Sequence, residues 1–158
     1  MTIGWPLKHN RIRRGSIANT FGPVRHGADG KPRVHQGWDF EAPIGTPCFA
    51  IADGAVAMTY FSKDYGNVVV LSFQQGDSVL FAAYAHLSAI EVKTGHRVAK
   101  GQRIGLTGDT GNAKGMAEPD QHLHFEIRTE ARPGLGLAGR VSPLEVFRQV
   151  PLDKAVEA

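Results

Sequence analysis

The sequence predicts an all-β domain: an antiparallel sandwich or barrel-like sheet with one short helix near the C-terminus. Three observations carry this prediction. The chain has 158 residues, the size of one ordinary domain. It holds 19 glycines and 9 prolines, 28 of 158 residues, where average usage is roughly 12%. No three-residue period accompanies them, so they mark tight turns between short strands. Between those turns, β-branched and apolar runs recur at the spacing of an antiparallel sheet.

Residues 1–33 read as irregular, with Pro6, Gly15, Gly22-Pro23 and Gly27 breaking any period. From residue 48 the pattern becomes strand-like. Cys48 to Asp53 ends at Asp53-Gly54, a hairpin signal. Ala55 to Phe61 follows, then Val68 to Phe73, and the turn Gln75-Gly76-Asp77 leads into Val79 to His86. His96 to Lys100, Arg103 to Thr107 and His122 to Thr129 complete the set. Ser142-Pro143-Leu144-Glu145 is a capping box with Pro at the first helical position. It predicts a helix over about 142–149, with Leu144, Phe147 and Val150 near helical spacing.

Composition narrows the function classes. Hydrophobic residues are 42% and charged residues 21%, enough for a packed core and too apolar for disorder. No apolar run approaches the ~18 residues of a membrane helix. The single cysteine, Cys48, excludes an internal disulfide and a zinc site built on several cysteines. The net charge is +3. Residues 1–33 carry Lys8, Arg11, Arg13, Arg14, Arg25, Lys31 and Arg33 against Asp29 alone. Such a segment is either a solvated basic surface or an attractor of an anionic polymer. Only Trp5 and Phe21 offer stacking there, which argues against nucleic acid. Arg11 to Arg14 is followed by Gly15-Ser16 rather than an apolar stretch, so no classical signal peptide is read at the N-terminus.

The chemistry concentrates in three stretches. His122-Leu123-His124-Phe125-Glu126-Ile127-Arg128 alternates strictly. In a strand, His122, His124, Glu126 and Arg128 share one face, and Leu123, Phe125 and Ile127 the other. The two imidazoles suit one metal ligand and one poised neighbour, or two exposed side chains. Within His35-Gln36-Gly37-Trp38-Asp39, a flat strand would hold His35 and Asp39 about 13 Å apart. Zinc bonds of about 2.0–2.2 Å require the chain to bend there, and Gly37 permits it. Tyr84-Ala85-His86 closes an apolar strand. Catalytic zinc takes three protein ligands and leaves a position open. His35, Asp39 and one histidine of the later pair supply that count, leaving the other histidines for proton transfer or transition-state stabilisation.

In this order these stretches resemble the lysostaphin/LytM-type zinc metallopeptidases, the peptidoglycan endopeptidases. The resemblance runs from Phe21-Gly22-Pro23-Val24-Arg25 through His35-Gln36-Gly37-Trp38-Asp39-Phe40, Gly45-Thr46-Pro47 and Ala52-Asp53-Gly54-Ala55-Val56. It continues through Tyr65-Gly66-Asn67-Val68-Val69-Val70, Tyr84-Ala85-His86-Leu87, Gly101-Gln102-Arg103-Ile104-Gly105 and Gly108-Asp109-Thr110-Gly111 to His122-Leu123-His124-Phe125-Glu126. It implies one Zn2+ held by His35, Asp39 and His124. It implies His86 and His122 as the two catalytic histidines, with His122 assigned the base. Tyr84, two residues before His86, is a weaker candidate for oxyanion or substrate contact. Glu126 either orients a ligand or forms a surface pair with Arg128. His9, His26 and His96 match no catalytic position.

The resemblance implies residues 34–158 as the metallopeptidase domain, with 1–33 packed on it. It implies hydrolysis of peptide cross-links in peptidoglycan, D-alanyl–diaminopimelate rather than Gly-Gly, by a monomer. The substrate places its action in the periplasm or the extracellular cell wall. Without a classical signal, export by a specialised secretion system is one route. An antibacterial effector of that kind would have a cognate immunity protein. The alternative is a non-catalytic relative that binds cell wall or activates another hydrolase. Residues 112–121 make a longer link before the histidine pair than relatives often carry, and are expected to wall the cleft and select the peptide stem.

Overall fold

One long strand organises the sheet. The structure, a computed structural model, describes residues 3–158. Its strands are β1 (His9–Asn10), β2 (Gly22–His26), β3 (Pro32–His35), β4 (Trp38–Glu41), β5 (Pro47–Phe49), β6 (Gly54–Ser62) and β7 (Gly66–Gln75). They continue with β8 (Ser78–Ile90), β9 (Arg97–Val98), β10 (Arg103–Thr107), β11 (His122–Arg128), β12 (Arg140–Val141), the single helical turn α1 (Leu144–Phe147) and β13 (Val156–Glu157). Gly76-Asp77 turns β7 into β8, with Gln75 opposite Ser78, as the Gly-Asp pair predicts. β8 then runs 13 residues. Phe81 to Ala85 pair with β11, whereas Leu87, Ala89 and Ile90 pair with β10. The strand therefore changes partner at His86.

The nine-stranded sheet follows the order β12-β11-β8-β7-β6-β9, with β4 on β11 and β5 and β10 attached through β8. All its pairings are antiparallel. The predicted all-β class is the observed one. Alternation divides the faces as the period-2 pattern requires. Val69, Leu71, Phe73, Ala82, Tyr84, Leu123, Phe125 and Ile127 enter the main core. Val68, Val70, Ala83 and Ala85 lie in a second cluster on the other face.

The N-terminal segment is more ordered than its composition indicates. β2 and β3 form a separate antiparallel hairpin, and β1 pairs with the C-terminal β13. Leu7 and Ile12 are fully buried. Buried Asn10 ties the segment down through Leu7 and the Val156 carbonyl. Trp5 stacks on Phe147 at 4.3 Å, and Phe147 in turn meets Trp38 and Phe125. Burying each such aromatic contributes ~1.5–3 kcal/mol, which docks α1 and the N-terminus on one core. The helix is shorter than predicted and ends at Arg148, whose φ is 64°. Leu144 is exposed, while Val146 and Phe147 face inward.

Tyr84 is a correction to the sequence reading. Its ring packs in the core, and its hydroxyl donates to the Phe49 carbonyl at 2.9 Å and accepts from the Ile51 amide at 3.2 Å. It does not share a side with His86, because His86 has φ 60° and leaves the strand's alternation. Tyr84→Phe would leave both backbone groups unpaired in the core, at a cost of ~1–3 kcal/mol. Denaturant unfolding should show that loss, with zinc binding retained. Unchanged stability would refute this placement.

Candidate metal centre and active site

The site is assembled where β3, β4, β8 and β11 meet. On β4, Trp38 and Phe40 enter the core, so Asp39 must face the other way. His124 stands directly opposite Asp39 across the β4–β11 ladder. His122 and Glu126 share the face of His124, as alternation predicts. All seven residues of β11 are buried, so the histidines are not a solvated surface. His35 reaches the same point because the chain bends after β3. The bend sets Gly37 against β11, where only a glycine fits: a Cβ there would lie 2.2 Å from the Phe125 carbonyl oxygen.

His35, Asp39 and His124 are buried and bring their donor atoms within 4.8 Å of one another. Nε2 of His35 lies 3.1 Å, and Nδ1 of His124 2.9 Å, from Asp39 Oδ1. Ligands of a tetrahedral zinc at about 2.0–2.1 Å would stand about 3.3 Å apart. The hydrogen bonds around the rings sharpen the case. His35 Nδ1 donates to the Thr20 carbonyl at 2.9 Å, leaving Nε2 as a lone pair. His124 Nε2 donates to Glu126 at 2.7 Å, leaving Nδ1 as a lone pair. Two imidazole lone pairs and a carboxylate oxygen therefore converge. Only extra protons or a cation can occupy that point, and the donor set fits zinc.

Two further histidines face the cleft. His86 Nδ1 donates to the Thr110 carbonyl at 2.7 Å, and His122 Nδ1 to the Asp120 carbonyl at 2.8 Å. His86 thus presents Nε2 as a free acceptor; Arg13 Nη1 also lies 3.3 Å from His122 Nδ1, but the shorter Asp120 contact makes that nitrogen the donor and leaves Nε2, 3.7 Å from Asp39 Oδ1, as the acceptor. The cleft, about 330 Å³ in volume, is lined by all four of these histidines and by Asp39, Tyr65, Gln36, Arg13 and Arg25.

Electrostatics separates the groups. Burial works against the charge of Asp39, but where protons rather than a cation occupy the convergence point, hydrogen bonds from His124 and His35 hold its carboxyl well below the usual range. Burial also opposes a charge on His124, yet Asp39 and Glu126 raise it to about 9. Burial, reinforced by the neighbouring His124 and His122, pushes His86 down to about 4. His122 is lowered by burial, with Asp39 opposing.

Glu126 is fully buried and is no surface partner of Arg128. Besides His124, it accepts from Arg128 Nε at 2.8 Å and Arg140 Nε at 2.7 Å. The Tyr65 hydroxyl also donates to it and accepts from the Gln36 amide. Burial disfavours the charge of Glu126, but His124 and the two arginines keep it ionised. Sequence reasoning missed Tyr65, Arg13 and Arg25. In the sequence Tyr65 is only part of the stretch Tyr65-Gly66-Asn67-Val68-Val69-Val70, and the arginines belong to an undifferentiated basic segment. Yet Arg13 Nη2 and Arg25 Nη2 lie 3.3 and 3.2 Å from Asp39 Oδ2.

The 112–121 segment does border the cleft, through Asn112 and Met116. Its acidic tip does not. Asp120 is clamped by Arg14 at 2.8 and 3.0 Å, and Glu118 and Pro119 face a separate depression beside His9 and Glu41.

An antiparallel β-domain whose cleft carries this donor set, flanked by two more tethered histidines, is the framework of a zinc-dependent peptidase. The chain belongs to peptidase family M23, whose profile it matches over residues 33–134. It is 42% identical over 118 residues to peptidoglycan DD-endopeptidase ShyA of Vibrio cholerae, covering 74% of this chain and 26% of that protein. It is 35% identical to DD-carboxypeptidase/endopeptidase Mpg of Neisseria meningitidis, covering 92% of this chain and 29% of the relative. The chain thus spans about a quarter of the length of these curated relatives. Among solved structures, a zinc-containing peptidase from Vibrio cholerae superposes with TM-score 0.69 at 32% identity, covering 87% of this chain and 41% of that one. The catalytic domain of lysostaphin from Staphylococcus simulans gives TM-score 0.64 at 31% identity, covering 82% of this chain and 90% of that one.

Two metal predictions follow from the donor geometry. His35→Ala, Asp39→Ala and His124→Ala should each strongly reduce bound zinc in folded protein, read by elemental analysis; full occupancy in Asp39→Ala would refute the ligand set. Glu126→Gln should weaken zinc affinity by roughly 10–100-fold, because it loosens the support of His124. Competition with a chromogenic chelator measures this, and an unchanged affinity would remove Glu126 from the metal's support.

Proposed function

We propose that this chain is a zinc-dependent endopeptidase domain that hydrolyses peptide cross-links of bacterial peptidoglycan, with His35, Asp39 and His124 as ligands. The carrying observation is the convergence of their donor atoms beside two histidines with free nitrogens. The names of the relatives, DD-endopeptidases and a DD-carboxypeptidase/endopeptidase, support a D-alanyl–diaminopimelate bond over Gly-Gly. That substrate places the action in the periplasm or the cell wall. A non-catalytic cell-wall binder would be expected to have lost part of the constellation, and all five positions are present.

When bound, zinc supplies Lewis acidity, polarising the scissile carbonyl and making water nucleophilic near neutral pH. The remaining work falls to the chain. His122 takes the proton from the attacking water at Nε2. Its Nδ1 is fixed by the Asp120 carbonyl, and the nearby Asp39 carboxylate supports the imidazolium that forms. His86 presents Nε2 to the same cleft, its ring 5.1 Å from that of His122. As the second catalytic histidine it would meet the leaving amine or the developing oxyanion. Tyr65 and Glu126 hold His124 in one tautomer.

Purified sacculi should release cross-link cleavage products with the intact protein, lose them with a chelator, and regain them on adding zinc. No release under any zinc condition would overturn the reading. His86→Ala and His122→Ala should keep zinc yet lose hydrolysis by on the order of 10²-fold or more. If either loses the metal while His124→Ala keeps it, ligand and catalyst have been exchanged.

A further inference from the structure

We propose that Arg25, in the cleft, and Arg33, in the depression that adjoins it on the β2–β3 hairpin, form a carboxylate-recognising edge of the site. The preferred substrate is then a peptide bond whose amine-side residue carries a free carboxylate next to the scissile nitrogen. This rests on the endopeptidase reading above and narrows it.

Arg25 is held like a receptor group. Its Nε donates to the Ala18 carbonyl at 2.8 Å, and its Nη2 to Asn19 Oδ1 at 3.1 Å and Asp39 Oδ2 at 3.2 Å. These bonds fix the plane of the guanidinium. No hydrogen bond occupies Nη1 among the described residues, and the side chain is 34% exposed toward the cleft. A planar, preorganised guanidinium takes a carboxylate with directed, charge-assisted hydrogen bonds.

Arg33 stands directly opposite Arg25 across the hairpin. Like charges in that position destabilise a strand pair, so the arrangement costs stability. Arg25 is offset by Asp39. Arg33 is exposed and forms no ion pair among the described residues. Together with Arg13, Arg14 and His26 the two arginines line a second depression of about 540 Å³ that shares Arg13 and Arg25 with the cleft. Its one acid, Asp120, is already clamped by Arg14. The cleft therefore opens into a surplus of positive charge, starting at a proposed metal ligand.

The chemistry of the two cross-link types decides what that charge can read. In a D-alanyl–diaminopimelate bond, the carbon bearing the scissile nitrogen also bears a carboxylate. The internal peptide bonds of a glycine bridge carry none. A carboxylate gripped beside Asp39 would hold such a bond in register with the site.

The test uses two muropeptide dimers with the same D-alanyl–diaminopimelate cross-link. In one the amine-side carboxyl is free; in the other it is a carboxamide. The intact zinc-loaded protein should cleave the free form with roughly tenfold higher kcat/KM, the value of one charge-assisted contact. Arg33→Gln should shrink that preference mainly through KM, and Arg25→Gln should remove most of it, with Arg25→Lys restoring part. Equal cleavage of both dimers by the intact protein would overturn the inference and leave the endopeptidase reading standing. Cleavage of neither would instead strike at that reading itself. If Arg33→Gln keeps the full preference and Arg25→Gln slows both dimers equally, the arginines only support Asp39, and the inference falls.

Discussion

The buried carboxylate of Asp39 is the point on which the rest of the molecule turns. Its two oxygens have different partners. Oδ1 faces the imidazoles of His35 and His124, while Oδ2 faces the guanidinium groups of Arg13 and Arg25. Taking such a charge out of water costs several kcal/mol unless every lone pair is met. Meeting them draws in Arg13, Arg25, His35 and His124, each from a different segment of the chain. The basic N-terminal segment is thereby part of the site, and its charge is neither idle nor a general polymer attractor alone. Behind His124 the arrangement repeats, with Glu126 set between Arg128 and Arg140. Positive and negative groups alternate through the buried face of β11, and that alternation holds each ring in one orientation.

Much of this was legible in the chain itself. The strict alternation of residues 122–128 placed three apolar side chains in the core and the histidines, Glu126 and Arg128 on the opposite face, as found. The requirement for a bend at Gly37 followed from bond lengths alone. What stayed hidden was tertiary in origin. A run of arginines near Gly15 and Gly22 has no period, so nothing local says which guanidinium turns inward. Tyr65 sits at a loop end, and its role exists only because Gly66 lets β7 approach Thr110, where an added Cβ would lie 2.2 Å from the threonine hydroxyl oxygen. The short β2–β3 hairpin was missed because its residues are mostly exposed and mixed in character.

Tyr84 shows how a sound local rule fails at a functional position. Spacing of two does place residues on one face of a regular strand. His86 breaks regularity with a left-handed backbone, a conformation costing of order 1–3 kcal/mol in a residue with a side chain. It does so where β8 exchanges one neighbour for another, and the Tyr65 carbonyl accepts its amide at 2.8 Å. Without that reversal the imidazole would follow Tyr84 into the hydrophobic core. The strain is the means by which a continuous strand delivers consecutive even-numbered residues to opposite sides.

The β2–β3 hairpin forms its own two-stranded sheet and shares no ladder with the nine-stranded one. It reaches the catalytic floor through His35 and the bend at Gly37. Its exposed positions, apart from Arg25 which meets Asp39, can be exchanged, lengthened or recharged without breaking a backbone bond of the larger sheet. Lineages descended from such a domain are free to alter what they recognise while inheriting the reacting centre intact. Selection can act on the two at different rates within one small domain.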